Sequence, residues 1–283
     1  MKKVRAAFNK LTLFDKALII IAILGFAFFA YVFFRKATYI TTTVKVGEEN
    51  ILYQPWTTET GTRTWFSQLF YKGMKEADGL GRTMAEVVSI RSYDTAPSRK
   101  TVYLTLKVRA VYNRASNQNI FKGTPLVIGS PIKLYLDKLL VEGLVTNVEG
   151  VKGPREKQTL IVEAQVREET STYPETSGTK EYIANALKVG DEIRDDQGNI
   201  IVKILDKRVE DAKRLVTTAS GGILVQRNPL RRDVYLTLEV NAIKIGDRFY
   251  LFDDVPLLVG SQVPLNTPII SVWPEVTKIS FPQ

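Results

Sequence analysis

The second half of the chain repeats the first. Residues 101–108 (TVYLTLKV) return as residues 233–240 (DVYLTLEV), and residues 126–130 (LVIGS) return as residues 257–261 (LLVGS). The order of these segments is the same in both halves. Self-similarity at a long period indicates a duplicated structural unit. The chain is therefore predicted to consist of two copies of one small domain.

The boundary between the copies is predicted in a polar stretch. Residues 152–158 read KGPREKQ and combine charged residues with Gly and Pro, which is typical of a connection. We therefore predict a first β-domain over residues 37–155 and a second over residues 156–283. Each is long enough to build a modest core of its own.

An uncharged apolar run lies near the N-terminus. Residues 17–34 read ALIIIAILGFAFFAYVFF, and eighteen residues at about 1.5 Å each span roughly 27 Å, close to the hydrocarbon thickness of a bilayer. A cleaved signal peptide is the alternative, but residues 28–32 supply no small-residue cleavage site. The sequence predicts an uncleaved signal anchor, a single-pass transmembrane helix over residues 17–36. The residues expected to span the membrane include Ala17, Ile20, Leu24, Phe28 and Phe34.

Basic residues flank this run unequally. Five precede it against the single acid Asp15, whereas Arg35 and Lys36 follow it directly. The positive-inside rule predicts a cytoplasmic tail over residues 1–16 and places both β-domains on the extracytoplasmic, periplasmic side of the plasma (inner) membrane. Without residues 1–36 the net charge falls from +9 to +3. The high isoelectric point therefore gives no reason to expect nucleic-acid binding.

Alternating apolar residues predict β-strands in both copies. Residues 102–108 place Val, Leu, Leu and Val on one face and Tyr, Thr and Lys on the other, and residues 234–240 repeat the pattern. Many short strands of this kind predict a mainly β fold: a transmembrane helix followed by two tandem homologous small β-barrel or β-sandwich domains, each with one short helix. Further strands are predicted at residues 39–46, 85–90, 132–136 and 143–148, and at 160–166, 200–205, 262–265 and 269–272.

One short helix is predicted in each copy. Residues 65–70 carry an aromatic stripe at helical spacing, with Thr62 or Thr64 as the expected cap and Gly73 as the expected stop, and residues 182–187 repeat the stripe. Two interpretations are open: the stripe docks a partner or a membrane surface, or it closes the end of its own barrel. Its repetition favours the second interpretation, because two copies are not expected to lie at the same distance from a bilayer.

A basic belt in the second copy is a further candidate surface. Seven basic residues lie between positions 207 and 232, where anionic lipid or glycan is one possible ligand and a mixed solvated surface the other interpretation, because acids interrupt the belt. The candidate interaction residues of the whole chain are Trp65, Phe66, Tyr182, Arg231 and Arg232.

The residue types that most enzymes use are missing. The chain has no Cys and no His, which excludes disulfides and thiolate sites and removes the commonest general base and metal ligand. A Ser–Lys hydrolase would need a serine just after the anchor, but the first serine is Ser67. Residues 191–196 lack the spacing of a calcium loop, and both they and residues 253–254 are predicted to form solvated turns. No catalytic residue, cofactor or metal site is predicted.

Four segments of the second copy resemble a bacterial family. Residues 189–199 (VGDEIRDDQGN), 218–222 (TASGG), 233–240 and 256–261 (PLLVGS) resemble membrane-anchored proteins of the domain of unknown function 4330 family. The first copy matches less well, because residues 72–79 lack the Gly-Asp pair. The resemblance implies an anchor and an exported β-domain without an assigned activity. The architecture is more distantly similar to lipid-transfer subunits with a mammalian-cell-entry domain, which form rings around a hydrophobic channel.

Together these features predict a non-enzymatic structural or adaptor subunit of a bacterial cell-envelope assembly, in export or transport. Its expected partners are the lipid bilayer, other envelope proteins through protein–protein interaction, and further copies of itself as a homo-oligomer. One alternative is a ring-forming lipid or polymer transfer conduit of the mammalian-cell-entry type. The other is the Ser–Lys membrane-anchored hydrolase.

Overall fold

The fold is mainly β and is organised around two antiparallel sheets. The structure, a computed structural model, describes residues 12–34, 38–47, 61–151, 155–166 and 178–282. Most of the predicted cytoplasmic tail, the end of the predicted anchor and residues 152–154 at the predicted domain boundary lie outside these ranges.

The first sheet has the strand order β3-β4-β5-β1-β9-β8, with β2 and β6 also paired to β5 and β7 paired to β6. Its two edges meet, because the N–H of Asp137 after β8 donates to the carbonyl of Lys75 in β3 at 2.8 Å. The sheet is therefore barrel-like, as predicted. Its strands are β1 (Thr38–Val46), β2 (Thr62–Arg63), β3 (Lys75–Ala77), β4 (Thr83–Ala96), β5 (Arg99–Asn113), β6 (Gln118–Phe121), β7 (Thr124–Pro125), β8 (Pro131–Leu136) and β9 (Leu139–Val148).

The second sheet has the order β12-β13-β14-β10-β19, with β11 and β15 also paired to β14 and β16 paired to β15. A separate two-stranded sheet joins β17 to β18. The strands are β10 (Arg155–Val166), β11 (Thr179–Lys180), β12 (Glu192–Arg194), β13 (Ile200–Thr217), β14 (Ile223–Ile245), β15 (Arg248–Leu251), β16 (Val255–Leu257), β17 (Leu265–Asn266), β18 (Ser271–Val272) and β19 (Glu275–Ser280).

The two sheets share their strand order and their local irregularities. The N–H of Gly73 donates to the carbonyl of Val87 at 2.8 Å, and the N–H of Gly190 donates to that of Ile204 at 2.9 Å. In both sheets the ladder shifts register just after the acceptor residue. The same turn and bulge chemistry thus recurs at matching places along both halves.

The predicted alternation produces the buried faces of the central strands. Val102, Leu104, Leu106 and Val108 are fully buried in β5, and their counterparts in β14 are equally buried. Tyr103 was assigned to the outer face by the same alternation and is nevertheless buried. Its face of β5 is covered by the second sheet, since Tyr103 belongs to that sheet's core cluster.

Most predicted strands are confirmed, but two in the last segment are not. Residues 262–265 are largely irregular, with only Leu265 starting β17, and the strand predicted at 269–272 is reduced to β18. Conversely, β13 and β14 extend far beyond the predicted segments because they form one long hairpin.

The helices also differ from expectation. α1 covers Leu13–Phe34, α2 covers Thr64–Ser67 and α3 covers Glu181–Ala186. α2 is shorter than predicted and its N-cap is Arg63, with no side-chain capping bond, so the predicted threonine cap is wrong. Gly73 closes a bond to β4 instead of ending the helix.

No helix in the described part of the chain has both the length and the apolar character that a membrane span requires.

Gly61 and Gly178 occupy equivalent tight turns before β2 and β11. Both have positive φ, +117° and +91°, and a Cβ at either position would lie 2.9 Å from a backbone carbonyl oxygen, that of Lys100 or Arg232. A side chain is therefore excluded by space as well as by backbone conformation.

We expect alanine at either glycine to destabilise the protein more than alanine at Gly81, which has φ +75° but open space around it. Gly81→Ala should cost about 1–2 kcal/mol from the left-handed conformation alone. Gly61→Ala and Gly178→Ala should each cost more, measured as the free energy of unfolding in urea. Equal losses for the three variants would show that the close carbonyl contacts do not constrain these turns.

Candidate functional site: the cleft between the sheets

A cleft of about 500 Å³ lies between the first and second sheets. Its walls come from the middle of β4, the turn between β12 and β13, the later part of β14, and the turn between β15 and β16. The site is thus built from elements that are far apart in sequence, and its geometry depends on how the two sheets are held together.

Aromatic packing forms one wall of the cleft. The ring of Tyr93 lies 5.3 Å from that of Phe252 and 6.2 Å from that of Tyr103 between centroids, and the Tyr103 hydroxyl donates to the carbonyl of Phe252 at 3.4 Å. Burial raises the pKa of both tyrosines. Both phenols therefore stay protonated and act as hydrogen-bond donors, not as bases.

An ion pair crosses between the sheets beside these rings. The Arg91 guanidinium lies 3.0 Å from an Asp253 carboxylate oxygen and 5.7 Å from the centroid of the Tyr103 ring. The Asp253 side chain is only 4% exposed. Its neighbour Asp254 pairs with Lys45 of β1. Residues 253–254 do lie in the hairpin turn between β15 and β16, as predicted, but the predicted solvation is wrong, because this turn inserts against the first sheet.

The backbone of this turn is in the left-handed region. Phe252 has φ +52° and Asp253 has φ +72°, a conformation that costs a non-glycine residue about 1–2 kcal/mol. The burial of the Phe252 ring in the same turn helps to offset that cost. Such local strain marks a place where the surrounding contacts determine the conformation.

The turn between β12 and β13 closes the cleft from the other side. Asp195 Oδ1 accepts from the N–H groups of Gln197 at 3.0 Å and Asn199 at 2.8 Å, which stabilises the turn itself. Asp196 Oδ1 accepts from the N–H of Ser92 in β4 at 2.8 Å, across the boundary between the sheets. The predicted solvated turn is thus a partly buried contact, with Asp195 buried.

Burial raises the pKa of two carboxyl groups here. For Asp253, burial raises the pKa, while the cations of Arg91 and Arg155 act in the opposite direction. For Asp196, burial again raises the pKa, against the hydrogen bond from the Ser92 N–H. Both shifts arise because the second sheet's turns are inserted against the first sheet.

The lining of this cleft combines cationic, amide and aromatic side chains. Arg91, Lys157 and Arg194 supply positive charge along its lining, and no Ser or Thr hydroxyl is part of that lining. Its carboxylates hold the turn and the inter-sheet ion pair. Across the described residues, no group of acidic side chains is placed to hold a metal ion.

The predicted aromatic stripe divides between the core and the surface. Phe66 and Phe70 pack against the core of the first sheet with ring centroids 5.3 Å apart. Trp65 and Tyr182 occupy equivalent positions at the starts of α2 and α3, and both are exposed. Phe66 and Phe70 thus belong to the core of the first sheet, whereas Trp65 and Tyr182 lie at the surface.

The two predicted arginines have structural contacts away from the cleft. Arg231 donates to the carbonyl of Gly178 at 3.0 Å, and Arg232 pairs with Asp211 and, at 3.4 Å, with Glu181. They fasten α3 and β11 to the long hairpin. None of the five predicted interaction residues lines the cleft.

The residues that build the cleft were missed from sequence. Arg91 and Tyr93 lie in a strand that alternation describes well, but alternation does not say what covers its outer face. A usable signal was the apolar Phe252 placed directly before two aspartates, since an exposed hairpin tip has little reason to carry a large aromatic ring.

No protein-family model, curated protein or solved structure matches this chain. The resemblances to the domain of unknown function 4330 family and to mammalian-cell-entry subunits therefore stay predictions.

We expect Asp253 to titrate above an ordinary aspartate and Asp78 below it. Hydrogen bonds from the Arg82 side chain and backbone lower the pKa of the half-buried Asp78. The Asp253 contribution to stability is thus present at low pH and lost as the pH rises through its folded pKa, while that of Asp78 is lost as the pH falls through its own. Carboxyl ¹³C shifts followed against pH measure both midpoints, with Asp253→Asn assigning the signal. A midpoint for Asp253 below that of Asp78 would contradict this order.

Removing either ring of the Tyr93–Phe252 contact should destabilise both sheets. Phe252→Ala and Tyr93→Ala each remove a buried ring, and we expect a loss of about 3–5 kcal/mol in the free energy of unfolding. Trp65→Ala, at an exposed ring, is the matched control and should cost under about 1 kcal/mol.

Amide hydrogen exchange shows which sheet is destabilised by the loss of the Phe252 ring. Phe252→Ala should raise amide exchange in β4 and β5 of the first sheet as well as in the second. Faster exchange confined to the second sheet would mean that the two sheets are energetically independent.

Proposed function

We propose that this protein is a membrane-anchored structural or adaptor subunit of a cell-envelope assembly, in which two tandem homologous β-domains act as one rigid extracytoplasmic body. The observation that supports this most is the inserted turn at Phe252 and Asp253, which ties the second sheet to β4 and β5 of the first through a buried ring and an ion pair. A rigid body of this kind holds a partner at a fixed place relative to its attachment point.

The duplication is supported by the matching strand orders and hydrogen bonds of the two sheets. Equivalent arginines also make equivalent contacts: Arg99 donates to Gly61 at 3.1 Å, and Arg231 donates to Gly178 at 3.0 Å. Unrelated sheets would not be expected to share such side-chain details. We therefore infer one ancestral unit, copied in tandem, for residues 37–155 and 156–283.

The anchor is proposed from the uncharged run at residues 17–34. Because no described helix qualifies as a span, this part of the proposal rests on that run and on the exposure of α1. Large apolar side chains such as Ile21, Phe26 and Phe28 are exposed along it. A helix with so much exposed apolar surface needs an apolar environment, which a bilayer supplies.

Because the two sheets are held to each other, the arrangement favours a role in binding partners over a role in catalysis. The cleft offers donors and cations for a polar partner group, and its carboxylates are engaged in holding the fold. An adaptor needs a stable surface more than a reactive one. The proposal therefore assigns recognition to the surfaces of the paired sheets.

Orientation is testable because the chain has no native cysteine. Ser116→Cys lies in an exposed turn after β5, and Lys3→Cys lies in the basic N-terminal segment. In intact spheroplasts an impermeant maleimide should label Ser116→Cys at once, and Lys3→Cys only after permeabilisation, because the basic flank stays inside.

Carbonate extraction of the same membranes tests the anchor itself. Wild type and Leu24→Phe should remain in the pellet, whereas the pelleted fraction of Leu24→Arg should fall, since an Arg at the middle of a span costs about 2.5–3.5 kcal/mol. Release of the wild type, or labelling of Lys3→Cys alone in intact spheroplasts, would overturn the proposed topology.

A further inference from the structure

The β13–β14 hairpin continues well beyond the second sheet. In the first sheet the equivalent strands turn back between Ala96 and Arg99, whereas in the second the pairing runs on from Ala212 and Asn228 to Thr217 and Ile223. Over this extension the strands pair with each other and with no other described strand. We call residues 213–227 the ribbon.

The outer part of the ribbon is apolar on both faces. The register places Leu215 opposite Val225 on one face and Val216 opposite Leu224 on the other. Ile223 and Val225 are 70% and 65% exposed, and Leu215 and Leu224 are about half exposed. A hairpin that is apolar on both faces, and on which the described residues leave Leu215, Leu224 and Val225 exposed, marks a contact surface for something outside the chain.

The inner part of the ribbon is cationic. Lys213, Arg214 and Arg227 lie at its base, and residues 212–230 contain no Asp or Glu. The Arg227 side chain is 68% exposed even though it pairs with Asp211 at 2.6 Å. Charge and apolar surface are thus separated along the ribbon, with cations near the sheet and apolar residues near the tip.

We propose that the ribbon docks on an anionic phospholipid bilayer, with its tip in the boundary between headgroups and acyl chains. From Leu215 to the turn the ribbon extends roughly 10 Å at about 3.3 Å per residue, which matches the depth of about 5–10 Å reached by interfacial elements. Arg214 and Arg227 then lie level with the phosphates. The tip residues 218–222 (TASGG) carry no charge that would oppose insertion.

The charge pattern favours lipid over a second copy of the chain. Two ribbons packed side by side in the same direction would bring their cationic bases together, and like charges at close range are destabilising. An anionic surface instead attracts all three basic residues at once. Along the ribbon a cationic base is followed by apolar strand ends and an uncharged tip. This order is expected of an element that enters a bilayer tip first and leaves its base among the headgroups.

The experiment uses the full chain with Ser220→Cys in the tip, labelled with an environment-sensitive dye and held in phosphatidylcholine nanodiscs. Vesicles containing phosphatidylglycerol should increase the dye emission, brominated acyl chains should quench it, and high salt should reverse both effects. Pure phosphatidylcholine vesicles should do neither. Ser116→Cys, in a turn of the first sheet, should not respond to either vesicle.

Two pairs of substitutions separate the apolar and charged contributions. Leu215→Ser with Val225→Ser, and Arg214→Gln with Arg227→Gln, should each weaken the vesicle response at least tenfold. The matched control, Leu258→Ser with Val259→Ser, alters exposed apolar residues elsewhere and should leave the response unchanged. Unchanged binding in both ribbon variants would overturn the proposal.

Two other results would contradict the proposed lipid contact. Dye burial that rises with protein concentration in the absence of vesicles would show that the ribbon binds a second copy of the chain. A dye that does not respond to anionic vesicles would show that the ribbon does not bind lipid. This inference goes beyond the proposed adaptor role. If carbonate extraction shows that the chain has no anchor, the same titration is run on the free chain, so the two failures are distinguishable.

Discussion

The insertion of one turn of the second sheet against β4 and β5 of the first is the contact on which the arrangement of this protein depends. It combines a buried ring, Phe252, with a buried carboxylate, Asp253, that has an arginine partner. The apolar part supplies the larger stabilisation, because a buried ion pair roughly balances its own desolvation. The ionic part fixes the relative register of the two sheets, since a misplaced Asp253 would be a buried charge without compensation.

Similarity and difference between the sheets have separate roles. The shared strand order, glycine turns and bulges build two comparable cores. The differences lie where the sheets meet other surfaces: the inserted β15–β16 turn and the long β13–β14 hairpin of the second sheet. In this view the common features build the two cores, the inserted turn fastens the sheets to each other, and the ribbon provides the proposed recognition.

Alternation predicted much of the fold, because a strand with one buried face leaves a period of two in its sequence. It failed for Tyr103, whose outer face is covered by a distant segment, and for residues 253–254, which look like a solvated tip until the other sheet is present. It also failed to predict the ribbon, because Leu224 and Val225 face opposite sides and neither belongs to a core cluster of the described residues. The alternation of apolar residues predicts which side chains pack within one sheet. It does not predict the cleft, because contacts between the two sheets form it.

The long strand β14 has a mechanical consequence. It runs from the ribbon at Ile223 to Ile245, next to the turn that leads into the inserted contact, and residues 234–245 are paired along their length with β10. A pull on the ribbon along the strand would load the hydrogen bonds of that ladder in shear, all at the same time, instead of opening them one after another. Loading of this kind is shared among all the bonds of the ladder, so the β10–β14 pair is expected to resist a pull along the strand better than a pull across it.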